Sequence, residues 1–267
     1  MGKKYFHSTI PFIYNIFLAY CCYFVCRIIY ILENYSSFSH SLFDNSLSDL
    51  IKGSLLFDTS AIMYTFIPYA LLMLIPLHIK DYGIFGYQWH KVAKWLFLFI
   101  NFLAIISNLS DAVYFRYTGR RTTLSVFDEF SGESNLGNIF STELFNHWYL
   151  VLIALLIIFG LYLLYLNPLK KEKSRPTISL PAYYAISTTI FLAYIILAIG
   201  GMRGGLTTAI RPITISNANQ YVNHPQEAAA ILNTPFTLIR TSSRKAFADP
   251  HYFTQEECEK IFSPIHN

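Results

Sequence analysis

Five stretches of this chain are each about 20 residues long and strongly apolar: Ile10 to Leu32, Thr59 to Ile79, Trp95 to Phe115, Trp148 to Leu166, and Pro181 to Ile199. That is the length a helix needs to cross the hydrocarbon core of a bilayer. In lipid, an open-ended segment satisfies its own backbone hydrogen bonds only as a helix. The expected fold is therefore all-α, a polytopic membrane protein with five transmembrane helices in residues 1–205 followed by a short helical extracytoplasmic linker in 206–267. Composition agrees, because charged residues make up 13% of the chain, about half of the ~25% that coats a soluble domain. A soluble globular domain is excluded, and a net charge of +4 does not call for a nucleic-acid partner.

The linkers set direction through their basic residues, which stay on the cytoplasmic side. One set carries Lys3 and Lys4, then Lys80, Lys91 and Lys94, then Lys170, Lys171, Lys173 and Arg175. The alternate set is acidic or balanced: residues 33–58 hold only Lys52 against four acids, and Arg116, Arg120 and Arg121 face Asp128, Glu129, Glu133 and Glu143. This places the N-terminus in the cytoplasm and everything after about Gly200 outside, in a multi-pass protein of the cell (inner) membrane. Trp89, Trp95 and Trp148 fall near predicted ends, where aromatic rings favour the interface. Pro68 and Pro76 predict a kinked or early-ending second helix.

Two lysines before an apolar run also open secretory signals. Here the run is longer than a signal's, and no small-x-small cleavage site follows it. Leu18-Ala19-Tyr20-Cys21 approaches a lipoprotein site, but Tyr20 stands where a small residue is expected.

Few residues carry chemistry. Cys22 and Cys26 share a helical face with Cys21 nearby, yet the only further cysteine is the distant Cys258, so they read as packing residues rather than metal ligands. The eight histidines form no HxxxH or HExxH pattern, and no metal site is expected in the chain. The outer end of the third segment is more informative: an acid in or near a membrane must find a partner, so Asp111 requires one. Arg116, Arg120 or Arg121 can supply it as a structural ion pair, or these guanidiniums can bind lipid phosphate. After the fifth segment, Gly200-Gly201-Met202-Arg203-Gly204-Gly205 lacks the strand and spacing of a nucleotide-binding loop, and Arg203 and Arg211 are candidate headgroup contacts. In the tail, Pro225 suits the start of a helix through Leu232 that Pro235 then breaks. Thr254 and Glu257 form a capping box ahead of Cys258 to Phe262, with Pro264 as its stop. The tail has too few large apolar groups for an independent core.

These residues resemble the membrane half of the lipoteichoic acid synthase-like phosphoglycerol transferases and sulfatases of the alkaline phosphatase superfamily, in their Bacteroidetes form. The resemblance rests on the five-helix layout, Asp111 to Thr123, Arg203-Gly204-Gly205, Thr207 to Ile213, Asn217-Ala218, Asn233-Thr234-Pro235-Phe236, and Phe262 to His266. It implies an anchor and linker that position an extracytoplasmic catalytic domain at the lipid surface. That domain would carry a divalent metal, manganese or zinc, and a threonine nucleophile, and would transfer a lipid head group or hydrolyse a phosphate or sulfate ester. Its ligands and nucleophile have no counterpart in this chain, and Thr122 and Thr123 have no metal nearby to activate them. On this reading Asp111, Arg116, Arg120, Arg121, Arg203 and Arg211 are lipid-headgroup or interdomain contacts. The partners are membrane lipids and a separately encoded catalytic domain. The competing readings are a stand-alone envelope binding or assembly protein and, on the thin polar content of Asn15, Asn101 and Ser107, a small transporter.

Overall fold

The computed structural model describes residues 8–38, 42–81, 83–126, 136–168, 179–207 and 211–242, together with Phe253, Glu257 and Ile261. Among these residues the chain is helical, with no strand. Lys3, Lys4, Asp128, Glu129, Glu133, the basic cluster at 170–175, Thr208 to Ile210, and most of the capping-box helix after Thr254 lie outside them.

The helices are α1 (Thr9–Glu33), a single turn α2 (Tyr35–Phe38), α3 (Leu47–Thr65), α4 (Ile67–Leu74), α5 (Gly83–Thr118), α6 (Leu136–Asn146), α7 (Trp148–Leu164), α8 (Leu180–Arg203), α9 (Ala228–Ile231) and α10 (Thr234–Thr241). Helices α1, α5 and α8 are each long and apolar enough to span a membrane, and α3 with α4 makes a fourth candidate, bent by 65° at Phe66. The expected proline effects are visible there. Pro68 stands in the first turn of α4, where its missing N–H costs the least. Ile75, preceding Pro76, is extended with ψ 132°, as steric contact with a following proline ring requires, and the helix stops at Leu74. The fifth apolar segment of the sequence reading, α7, is a shorter helix of 17 residues.

The successive helices α1, α3–α4, α5, α7 and α8 alternate in direction, as contacts at the two ends of the bundle show. At one end Asp81 accepts from the Ser8 hydroxyl (3.0 Å) and the Tyr183 hydroxyl (2.6 Å), and the Asn15 side-chain amide brackets the backbone of Leu166. At the other end Glu33 meets Arg116 (2.6 Å) and Tyr149 (2.7 Å), and the Ser60 hydroxyl donates to Met202 O. The Lys-rich linkers of the sequence reading leave from the first end, and the C-terminal segment lies against the second.

The core runs between α1, α3–α4 and α5, where rings of Phe66, Tyr69 and Phe97 stand 5.4 to 6.1 Å apart. Cys22 and Cys26 are buried within it as small apolar side chains. Helices α7 and α8 are apolar on every side and pack at the periphery, leaving Leu155, Leu156, Phe159, Leu192, Ile196 and Leu197 exposed. A helix hydrophobic all round is either buried in a core or spans a membrane, and of the two α8 has the length for a span. Helix α8 approaches α3 closely at Gly201, where a Cβ would lie 2.8 Å from Met63. It ends in the left-handed Gly204 (φ 83°), whose successor Gly205 donates to Gly200 O (2.8 Å), a glycine C-cap.

Candidate functional site: a double arginine clamp

The C-terminal segment is not a free polar connector. Residues Ala228 to Thr237 are buried against α1, α3 and α5 at the Arg116 end of the bundle, and Phe236 packs on Phe57 with ring centroids 4.9 Å apart. The tail that lacks large apolar groups for its own core thus borrows the core of the bundle. The predicted helix after Pro225 is present as a short 3-10 turn (Pro225–Glu227) running into α9. Pro235 does more than end it. It sits in the first turn of α10, which Asn233 caps by accepting from Phe236 N–H (2.9 Å).

Two buried Arg–Asp pairs hold this segment. Asp111, on α5, accepts from Arg121 Nη1 (2.9 Å), Thr234 Oγ1 (2.7 Å), and the backbone N–H (2.8 Å) and hydroxyl of Thr122. Arg121 in turn donates through Nε to Ala229 O (2.8 Å) and through Nη2 to Leu232 O (2.7 Å), and its guanidinium lies 3.5 Å over the Tyr30 ring. The second pair joins Arg27 of α1 to Asp58 of α3. Arg27 Nη1 donates to Ala230 O (2.6 Å), Ile231 O and Leu232 O (3.2 Å), while Asn233 Nδ2 donates to Asp58 (2.8 Å).

Four consecutive carbonyls, 229 to 232, are therefore all held by guanidinium groups. These are the acceptors that a helix C-terminus leaves unpaired, and cations are favoured there. Each guanidinium is compensated by a carboxylate, so no net charge is buried. Further bonds fasten the segment on both sides: Asn108 Oδ1 accepts from Thr234 N–H (3.1 Å), Thr237 Oγ1 donates to Thr122 O (2.6 Å), and Thr241 Oγ1 accepts from Leu124 N–H (3.0 Å).

The candidates of the sequence reading separate accordingly. Asp111 finds Arg121, and both are buried. Arg116 instead pairs with Glu33, alongside Tyr149 and with His147 at 3.9 Å. Arg120 and Arg211 are exposed, and Arg203 is half-buried at the end of α8 with its carbonyl accepting from Ile213 N–H (3.1 Å). The structure does not bring these six residues to one surface. Thr122 serves as a donor to Asp111. Asn15 and Ser107 are taken up by hydrogen bonds to Tyr69 and to backbone carbonyls, and the Asn101 amide nitrogen donates to Phe97 O. The Arg27–Asp58 pair is not among the sequence candidates, although an arginine inside an apolar run is itself a signal that an acid lies opposite.

A second polar cluster closes the opposite end. Lys80 is buried and donates to Met73 O and Ile75 O (2.8 Å for the latter), capping α4, and burial pushes its pKa down to about 8 against the opposing pull of Asp81. Burial alone would raise the Asp81 carboxyl. The His90 ring, the Tyr183 and Ser8 hydroxyls and the Lys80 charge outweigh it and hold the carboxyl below its usual range.

Among the described residues no group of three or more His, Cys, Asp or Glu side chains is arranged to hold a metal ion. No family model, curated protein or solved structure matches this chain.

Proposed function

We propose that this chain is a membrane anchor and linker module of the kind found in lipoteichoic acid synthase-like phosphoglycerol transferases and sulfatases, fixing an extracytoplasmic catalytic domain at the lipid surface. In this reading α7 is the fifth crossing, the N-terminus is cytoplasmic, and the C-terminal segment lies outside the inner membrane. The observation that carries the proposal is the double clamp. A segment that merely trailed from the last helix would need no buried ion pairs, whereas one that must orient a following domain gains from being locked to three helices. The guanidinium grip on residues 229–232 supports such a rigid exit. In this reading the divalent metal belongs to the catalytic domain.

The test is genetic and biochemical. A phosphatase-type reading frame adjoining the gene, whose product co-purifies with this bundle through residues 206–267, is the expected result. If no such frame exists in the source genome, and pull-down through the same residues recovers an unrelated envelope protein, the anchor reading fails and a stand-alone assembly role replaces it.

A further inference from the structure

Helix α5 is longer than one crossing requires, and its first turns carry side chains that the bundle leaves uncovered. Gln88, Lys91, Val92, Trp95, Leu96 and Phe99 recur at spacings of three and four, so they form one stripe. Together they border a shallow, open groove of about 490 Å³ along the face of this one helix. Val92 and Trp95 are each 58% exposed, too much apolar surface to face water without a cover. Polarity is graded along the stripe: Gln88 and Lys91 lie toward the bundle end that holds Asp81, and the apolar side chains lie toward its middle. From Lys91 to Phe99 the helix rises about 12 Å, most of the ~15 Å that one leaflet contributes to the hydrocarbon core. Trp95 thus falls one turn inside the polar boundary, where indole rings settle.

The charge at this end also identifies the occupant. Lys94 is engaged by α7, its ammonium donating to Tyr162 O (3.1 Å) and lying 3.6 Å over the Tyr162 ring. Among the described residues no carboxylate pairs with Lys91. The only described carboxylate at this end, Asp81, is already engaged by Ser8 and Tyr183. A cation at the polar end of an apolar stripe about one leaflet long matches a phosphate carried on acyl chains.

We propose that this groove binds one anionic glycerophospholipid of the adjacent leaflet. Its phosphate lies against the Lys91 ammonium and the Gln88 amide, and one acyl chain runs along Val92, Trp95, Leu96 and Phe99. The site rests on membrane insertion alone and goes beyond the anchor reading, which can fail while this stands.

The test uses the full chain in nanodiscs containing equal fractions of phosphatidylglycerol and phosphatidylcholine, with bromine on the chains of one lipid at a time. Brominated phosphatidylglycerol should quench tryptophan fluorescence more than brominated phosphatidylcholine, and the difference should vanish in Trp95→Phe and Lys91→Glu. Lys52→Glu changes an exposed lysine at the opposite end and should leave the difference intact. Native mass spectrometry should show roughly five-fold preferential retention of the anionic lipid, the share of one basic residue at a charged membrane surface, falling to parity in Lys91→Glu. Equal quenching by the two lipids in the unaltered protein overturns the proposal, as does equal loss in Lys52→Glu or a groove filled by a second copy of the chain. The unaltered protein decides the question even if Lys91→Glu fails to accumulate.

Discussion

Asp111→Asn isolates the charge of the clamp from its shape. The side chain keeps its volume, so no cavity opens, but one carboxylate oxygen becomes an NH2 group. If the NH2 replaces Oδ2, it faces Arg121 Nη1 at 2.9 Å, donor against donor; if the amide flips, it faces Thr122 N–H at 2.8 Å instead. Either arrangement leaves a buried donor unsatisfied, at about 1–3 kcal/mol. Arg121 also loses the counter-charge that justified burying it, and breaking a buried pair from one side costs about 3–5 kcal/mol in all. For a chain of this size that corresponds to a fall in melting temperature of roughly 6–20 °C. The measurement is thermal unfolding of purified protein in mild detergent, followed by intrinsic fluorescence, with accumulation in the membrane scored alongside. The partner experiment is the double change Asp111→Leu, Arg121→Met, which removes both charges together and should recover part of the loss. An Asp111→Asn protein that melts within a degree or so of the parent would refute the structural reading. So would a double variant no better than the sum of its singles.

Three further outcomes are expected. Phe236→Ala removes a fully buried ring from its contact with Phe57 and should cost about 3–5 kcal/mol; a neutral melting curve would show that the tail does not dock as described. Lys80 has a folded pKa of about 8, below its ordinary 10.5, so between those values the unfolded chain holds a proton that the folded chain has shed, and stability rises with pH across that window. The melting temperature of the parent relative to Lys80→Met should accordingly climb from about pH 8 toward pH 10, and a flat difference would count against the burial of the ammonium. Reporter fusions after Lys173 and after Thr241 should report cytoplasm and exterior respectively, and a cytoplasmic signal at Thr241 would overturn the five-crossing topology.

The helices were legible because apolar runs of bilayer length have only one way to satisfy their backbone, and Pro68 and Pro76 marked the bend and end of α3–α4 for the same reason. Asp111 announced its need for a cation, though not which arginine would answer. Arg121 wins because the chain turns back after Gly119 (φ 64°), which directs residue 121 under the bundle, while Arg116 still points outward from the helix to Glu33. The docking of the tail was not legible. Its buried face is built from Ala228, Ala229 and Ala230, whose small side chains give little hydropathy, and from Asn233, Thr234 and Thr237, which read as polar although every one of them is bonded in the interior. Their burial depends on Arg27 and Asp58, residues roughly two hundred positions away, and such pairing leaves no local pattern in a sequence.

Helix α5 has a mechanical consequence. Its 36 residues extend about 54 Å, more than the ~30 Å that a hydrocarbon layer measures, and the chain is continuous from the lysine-bearing end to the carboxylate that grips the tail. A rod of that length is a lever: pivoting it by about 5° about one tip carries the other roughly 5 Å. Because Asp111 and Asn108 ride on this rod and bond directly to Thr234, the tail would be carried with them. A displacement of the lysine-bearing end of α5 would therefore move residues 233–241 at the other end.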